Sequence, residues 1–207
     1  MTYKDILQDQ EKLDIYDEID KNNTSTIYHG KNHVLNVLDN LDKLNNLLNI
    51  EKHDLELLKI AITLHDIGHS YGEKEHYKKS EELARKYLKN KINNHDLEKI
   101  LSAIKKHHEK ENIKDLSIFE HLLLFSDKMD FTYKRLNPNH KTREYLLESD
   151  ILDINFNLEN DNFIVNIKTT NIDTDKLKYW PYYSKITKRI DEFADKINKK
   201  SKIKITF

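Results

Sequence analysis

Three glycines and two prolines are spread over 207 residues, and that scarcity limits the possible folds more than any other feature of the chain. Sharp reversals draw on glycine for backbone conformations other residues resist and on proline for a preset φ. A chain so poor in both reads as long, uninterrupted helices rather than a turn-rich β fold. Its length suits one well-buried domain and is too short for two ordinary ones plus a linker.

Helical spacing dominates up to about residue 148. Val34, Val37, Leu38, Leu41, Leu44 and Leu48 recur at i, i+3, i+4, the pattern of one amphipathic face. A second helix opens at Asp54, and its run through Leu57, Leu58 and Ile60–Leu64 is apolar enough to be central. Lys74–Leu88, Asp96–His108 and Leu116–Phe131 read as three more. Over Ile151–Thr170 the period changes to two, and Asn160-Asp161 in its middle marks a β-hairpin. After Trp180-Pro181 a last helix carries Ile186, Ile190, Phe193 and Ile197 on one face, and the terminal KIKITF alternates like a third strand. The expected architecture is mainly α: a helical core over residues 1–150, with residues 151–207 forming a small β-hairpin or three-stranded appendage plus a final helix on the same domain.

Lys and Arg number 35 against 36 Asp and Glu, so no net field favours nucleic acid or an anionic membrane. With no cysteine, disulfides, thiol nucleophiles and thiolate metal sites are all excluded, and any metal must be held by nitrogen and oxygen. No apolar stretch approaches the roughly 18 residues of a membrane span, and MTYKDILQDQEKLD lacks the apolar core of a signal peptide. A soluble protein of the cytoplasm is the expectation.

Three His-Asp pairs provide an internal control. His53-Asp54 and His95-Asp96 each precede Leu-Glu and an apolar periodic run, where Asp serves as a helix N-cap. His65-Asp66 instead closes the run Ile60-Ala61-Ile62-Thr63-Leu64. A carboxylate there meets the unfavourable end of a helix dipole, and an imidazole beside it is costly to bury without a compensating charge. Position alone gives Asp66 a cationic partner. Further donors follow in order: His33 upstream, His76 and His107-His108 downstream, then Asp127. His29 and His33 are four apart, as are His65 and His69, a spacing that places both members on one helix face. His121 lies on the helix of Asp127 but nearly two turns away, and His140 stands near Pro138 as an ordinary histidine.

From about Tyr28 to Arg135 the chain resembles the HD superfamily of metal-dependent phosphohydrolases. The resemblance rests on Tyr28-His29-Gly30-Lys31-Asn32-His33-Val34, Leu64-His65-Asp66-Ile67-Gly68-His69, His76-Tyr77-Lys78-Lys79-Ser80, Ala103-Ile104-Lys105-Lys106-His107-His108 and Ser126-Asp127-Lys128-Met129-Asp130, in that order. It implies an HD-domain helical bundle in which His33, His65, Asp66 and Asp127 hold the principal metal and Asp66 bridges to a second where there is one. His76, His107 and His108 align with second-metal ligands. His29 aligns with the proton donor of the related phosphodiesterases. Lys128 and Arg135 fall where basic residues meet the substrate phosphate, or else form a solvated cationic face.

Departures narrow the class. Lys110-Glu111-Asn112 after His107-His108-Glu109 replaces the Gly-Tyr-Pro of the cyclic-di-GMP subclass, and no Glu-Asp follows His65-Asp66 as in hydrolases of the alarmone ppGpp. Phe125 stands where many small relatives carry another Asp. Imidazole with carboxylate suits Mn, Fe, Co, Ni, Zn or Mg, as one ion or two. The implied function is a metal-dependent phosphohydrolase that uses metal-activated water, with His29 or His69 donating a proton. Its substrate would be a phosphomonoester or phosphodiester of a small metabolite, a nucleotide being favoured. The alternative is a non-catalytic, metal-containing regulatory or phospho-ligand-binding module. Residues 151–207 could cover the pocket, form a homodimer or complete the core.

Overall fold

A computed structural model describes residues 1–23, 25–109, 113–139, 149–170 and 182–207. His140, Trp180-Pro181 and the Lys110-Glu111-Asn112 departure lie outside them. The described residues contain eight α-helices and one three-stranded sheet. Two short N-terminal helices, α1 (Tyr3–Leu7) and α2 (Gln10–Lys21), bury Ile6, Tyr16 and Ile19. The Tyr16 hydroxyl donates to the Thr63 carbonyl oxygen.

Helix α3 (Lys31–Leu48) buries Val34, Val37, Leu38, Leu41 and Leu44, the face its periodicity predicts. Asn49 ends it with φ 50, a left-handed conformation that Asn tolerates better than most residues. Helix α4 (Lys52–Leu64) is the central one: Leu57, Leu58 and everything from Ile60 to Leu64 are buried. Next come α5 (His76–Leu88), α6 (Asn94–Lys106) and α7 (Ile118–Lys128). Ser117 accepts from the Glu120 N–H while Glu120 accepts from the Ser117 N–H, a capping box that starts α7 two residues later than its apolar pattern suggests.

The control pairs are not N-caps. Glu51 and Asn93 fill that position, accepting from the N–H groups of Asp54 and Asp96, which sit inside the first turns of α4 and α6. Acidic groups suit a helix start at either place, so sequence located the helix starts but misplaced the caps by three residues.

Strands β1 (Ile151–Glu159) and β2 (Asn162–Thr169) pair antiparallel, with Glu159 opposite Asn162 across the Asn160-Asp161 turn. Asn160 takes φ 54 there. Helix α8 (Tyr183–Lys196) precedes β3 (Lys200–Thr206), which runs parallel to β2 and completes the order β1-β2-β3. The sheet shares one core with the helices. Phe125 of α7 stacks on Phe193 of α8 at 4.2 Å between centroids and lies 5.6 and 5.7 Å from Phe156 and Phe163 of the hairpin. Lys43 of α3 donates to the Asp153 carboxylate at 3.1 Å and the Ile154 carbonyl oxygen at 2.7 Å. No helix among the described residues is long and apolar enough to cross a membrane.

Candidate metal centre

Helix α4 ends at Leu64, His65 is its C-cap, and Asp66 begins a 3-10 turn over Ile67–Tyr71 without capping it through its side chain. The Asp66 carboxylate is thus released from local backbone duty at the point where α4 delivers it to the interior, 4% exposed. Gly68 follows because α5 crosses close by: its N–H donates to Ser80 Oγ at 2.9 Å, and a Cβ there would collide with the His76 carbonyl oxygen. Gly30, just before α3, is held against Asp20, whose carboxylate accepts from the N–H groups of His29 and Gly30 at 3.2 and 2.8 Å.

The two oxygens of Asp66 face two groups of imidazoles. Toward Oδ2 lie His29 Nδ1 at 2.9 Å, His33 Nε2 at 3.4 Å and His65 Nε2 at 3.5 Å. Asp127 Oδ1, from α7, closes that side at 3.2 Å from His33 Nε2 and 3.8 Å from His65 Nε2. Toward Oδ1 lie His107 Nε2 at 3.3 Å, His76 Nε2 at 3.6 Å and His69 Nε2 at 3.7 Å.

Four of these rings are oriented from behind. His65, His76 and His107 each place Nδ1 against a backbone carbonyl oxygen, of Ile62 at 2.7 Å, Glu73 at 3.0 Å and Ile104 at 2.6 Å. His33 places Nδ1 2.7 Å from Asp130 Oδ2. A carbonyl oxygen only accepts, so each Nδ1 so placed carries the proton and the Nε2 lone pair points inward. Those lone pairs then confront each other: His33 Nε2 and His65 Nε2 are 3.2 Å apart, as are His76 Nε2 and His107 Nε2. Facing lone pairs beside buried carboxylates repel unless a proton or a metal cation lies between them. Ligands on one ion at about 2.0–2.2 Å lie roughly 3 Å from one another, the spacing of these atoms. His69 Nε2 is moreover buried without a hydrogen-bond partner among the described residues. The donor set therefore fits divalent metal, one position on each side of Asp66. Four overlapping His/Asp groups have donor atoms close enough to share an ion: His29-His33-Asp66, His33-His65-Asp127, His65-Asp66-His107 and Asp66-His69-His76.

Electrostatics agree. Burial works against the charge on Asp66 and Asp127, yet the adjoining imidazoles, with Lys128 at Asp127, hold both carboxyls well below the usual range. Burial and Arg135 oppose a proton on His33, but hydrogen bonds with Asp127, Asp130 and Asp66 overcome them and raise its pKa to about 10. The negative potential that would hold that proton is the one a metal ion would occupy. Burial lowers His29 to about 4, His69 to about 3, and His107 as well, so these rings rest neutral.

All but one of the expected residues converge closely on Asp66 or on the side chains that surround it. His108 stands one ring out, 5.2 Å from the His76 ring and stacked on Tyr77 at 5.6 Å, and belongs to none of the four groups. His29 and His33 do not share a helix face, since α3 begins at Lys31. His29 reaches Asp66 from the entry segment, and its ring stacks on His69 at 4.1 Å, as His69 does on His76 at 3.9 Å. Lys128 Nζ lies 2.5 Å from Asp127 Oδ2. Arg135 is buried, donating to the Tyr28 and Asp130 carbonyl oxygens at 3.1 Å each, with NH2 3.3 Å from His29 Nδ1. His121 is away from the site, with Nε2 2.8 Å from the Ile113 carbonyl oxygen.

Two contributors escaped the sequence reading. Asp130 orients His33 and accepts from Asn36 at 3.1 Å; a carboxylate behind a ligand histidine is a common need, and its place three residues past Asp127 was the available signal. Glu73 joins His29, His69, His76, Lys128 and Arg135 around a cleft of about 320 Å³ over the cluster. Nothing in its sequence neighbourhood marks it.

The HD domain family model matches residues 30–154. Among solved structures, the chain is similar to a predicted HD superfamily hydrolase from an uncultured Thermotogales bacterium, at 21% identity over 59% of this chain and 68% of that one, with a TM-score of 0.47. No curated protein matches the sequence.

Proposed function

Taking as premise that this chain belongs to the HD domain family of metal-dependent phosphohydrolases, we propose that it hydrolyses a phosphate ester of a small cytoplasmic metabolite, with nucleotides the favoured class. The observation that carries this reading is the pair of inward-facing imidazole couples on the two oxygens of Asp66. His33, His65, Asp66 and Asp127 would hold a first ion. Asp66 with His76 and His107, and His69 or His108 beside them, would hold a second. When bound, such ions lower the pKa of a water and neutralise phosphoryl oxygens as the ester bond breaks.

The remaining side chains have separable tasks. Lys128 and Arg135 bring positive charge to the side of the cleft where phosphate oxygens would lie. Arg135 also braces the Tyr28–His29 segment through the Tyr28 carbonyl. His29 Nδ1 cannot both donate to Asp66 and accept from Arg135. The shorter contact, with a carboxylate, makes it the N–H and leaves Nε2 as a lone pair. His29, neutral and on the cleft wall, takes up a proton and passes it to the leaving oxygen, a task worth typically about 10²–10⁴ in rate, and His69 shares it where His108 rather than His69 completes the second ion site.

The test is a phosphomonoester and phosphodiester screen on protein reloaded in turn with Mn, Fe, Co, Ni, Zn and Mg, beside Asp66→Ala. Turnover that depends on metal and vanishes in Asp66→Ala is expected. Full metal loading with no ester cleaved would favour the non-catalytic binding module instead.

A further inference from the structure

A second, smaller pocket of about 180 Å³ adjoins the metal cleft and shares His29, His69 and Glu73 with it. The stacked His29 and His69 rings form the boundary between the two. Beyond that boundary the described lining is Ile19 of α2, Asn22 at its end, Asn23, Ser25, the backbone at Gly72 and Glu73, polar apart from Ile19 and uncharged apart from Glu73. Asn23 and Ser25 are committed to their own loop, donating to the Ile27 carbonyl oxygen at 2.5 and 2.8 Å. The Asn22 amide and the Glu73 carboxylate make no hydrogen bond or ion pair among the described residues. Among the described residues no lysine or arginine lines this pocket, whereas Lys128 and Arg135 both line the metal cleft.

The combined cleft is thus graded, cationic at one end and acidic with a free amide at the other. We infer that the Asn22–Glu73 pocket is the leaving-group subsite and that it selects phosphate esters of an uncharged polyol, such as the ribose of a nucleoside. This deepens the hydrolase reading and rests on it. A phosphoryl group seated between Asp66 and Lys128/Arg135 directs its ester oxygen past His29 and His69 into the polar pocket. There sugar hydroxyls donate to the Glu73 carboxylate and exchange hydrogen bonds with the Asn22 amide. A second phosphate in the same place meets Glu73 with no cation to offset it, and like charges so placed are strongly disfavoured. In the reaction one P–O bond forms to the oxygen of water and the P–O bond to the polyol breaks. The proton lost by the water ends on the departing oxygen through the His29/His69 wall, so one water is consumed and no redox partner is needed.

The experiment measures calorimetric affinities of the metal-loaded 207-residue chain for adenosine 5′-monophosphate, ribose 5-phosphate, adenosine 5′-diphosphate and inorganic phosphate. Wild type is compared with Glu73→Lys and Asn22→Leu, and metal content is checked in each. Wild type should bind the monophosphate at least about tenfold more tightly than the diphosphate, and Glu73→Lys should erase or reverse that ratio at unchanged metal content. Asn22→Leu should weaken both sugar phosphates toward inorganic phosphate alone. Equal binding of ribose 5-phosphate and the nucleotide would assign recognition to the sugar. A diphosphate that binds wild type as well as the monophosphate, or a ratio indifferent to Glu73→Lys, would overturn the inference. Turnover is scored separately. The predicted affinities without hydrolysis keep the subsite and discard the hydrolase reading; hydrolysis indifferent to leaving-group charge does the reverse.

Discussion

His53 and Asp96 meet at 3.1 Å where α4 and α6 begin, with the histidine side chain 60% exposed. His33 and Asp66 meet at 3.4 Å in the interior, with the histidine side chain fully buried. The residue types are the same and the physics is opposite. At the surface, water solvates whatever the pair leaves unmet and screens its attraction, so the contact contributes little. In the interior, Asp66 has six imidazoles around it, and the Nε2 lone pairs of His33/His65 and His76/His107 point at each other. A proton held on His33 by its three carboxylate neighbours relieves the first couple, whereas a divalent cation would satisfy both couples at once, the physical signature of a site built for a cation from outside. A His-Asp pair therefore signals function only when burial removes water from the list of partners.

The contrast can be broken most severely at Asp66. Asp66→Ala removes the carboxylate common to both sides of the cluster and should abolish turnover, whereas Asp96→Ala should leave it at the wild-type rate. A steady-state assay on the best ester from the screen separates the two. Phe125→Ala asks what an apolar residue of the same helix contributes. With its contacts to Phe156, Phe163 and Phe193 lost, unfolding in denaturant should show a deficit of about 3–5 kcal/mol, with the metal still bound in the folded fraction. Asp130→Ala leaves the ligands in place but frees the His33 ring. Loss of such a supporting partner typically weakens metal affinity about 10–100-fold, readable by competition with a chelator of known strength.

The smallest effect belongs to the surface pair. The Asp96 carboxylate beside His53 raises the histidine pKa. A raised folded-state pKa stabilises below the unfolded value, and that contribution disappears as pH climbs through the folded one. His53→Ala should therefore lower the melting temperature slightly in mildly acidic buffer and not at all in alkaline buffer. Melting curves at two pH values would show it, and an equal loss at both would mean that the ring matters through packing instead.

How much of this was legible beforehand differs from part to part. The clustered residues His33, His65, Asp66 and Asp127 could be read because they stand in a fixed order of short motifs, and because a carboxylate at a helix C-terminus is anomalous on its own. The α3 and α4 cores could be read from spacing, and the hairpin from its change of period at Ile151. Alternation also marked β3 as a strand, but it carries no information on partner or direction. The parallel pairing to β2 depends on α8 lying between them. Asp130, Glu73 and the stack of His29 on His69 are products of tertiary approach: each becomes meaningful only when residues distant in sequence come within a few ångströms. Phe125, a mere departure from the family pattern in sequence, proves to be the aromatic anchor joining α7 to the sheet and α8. The control pairs mark the limit of local reasoning, since Asp54 and Asp96 favour a helix start as well from inside the first turn as from the cap.

The central claim is that the buried cluster, and not the surface pair, is a metal centre. Elemental analysis of the protein as purified, beside Asp66→Ala and Asp96→Ala, tests it most directly. One to two equivalents of a divalent transition metal or magnesium in wild type and Asp96→Ala, and a marked loss in Asp66→Ala, is the predicted result. No metal in any of the three, even after reloading, or equal metal in all three, would contradict it.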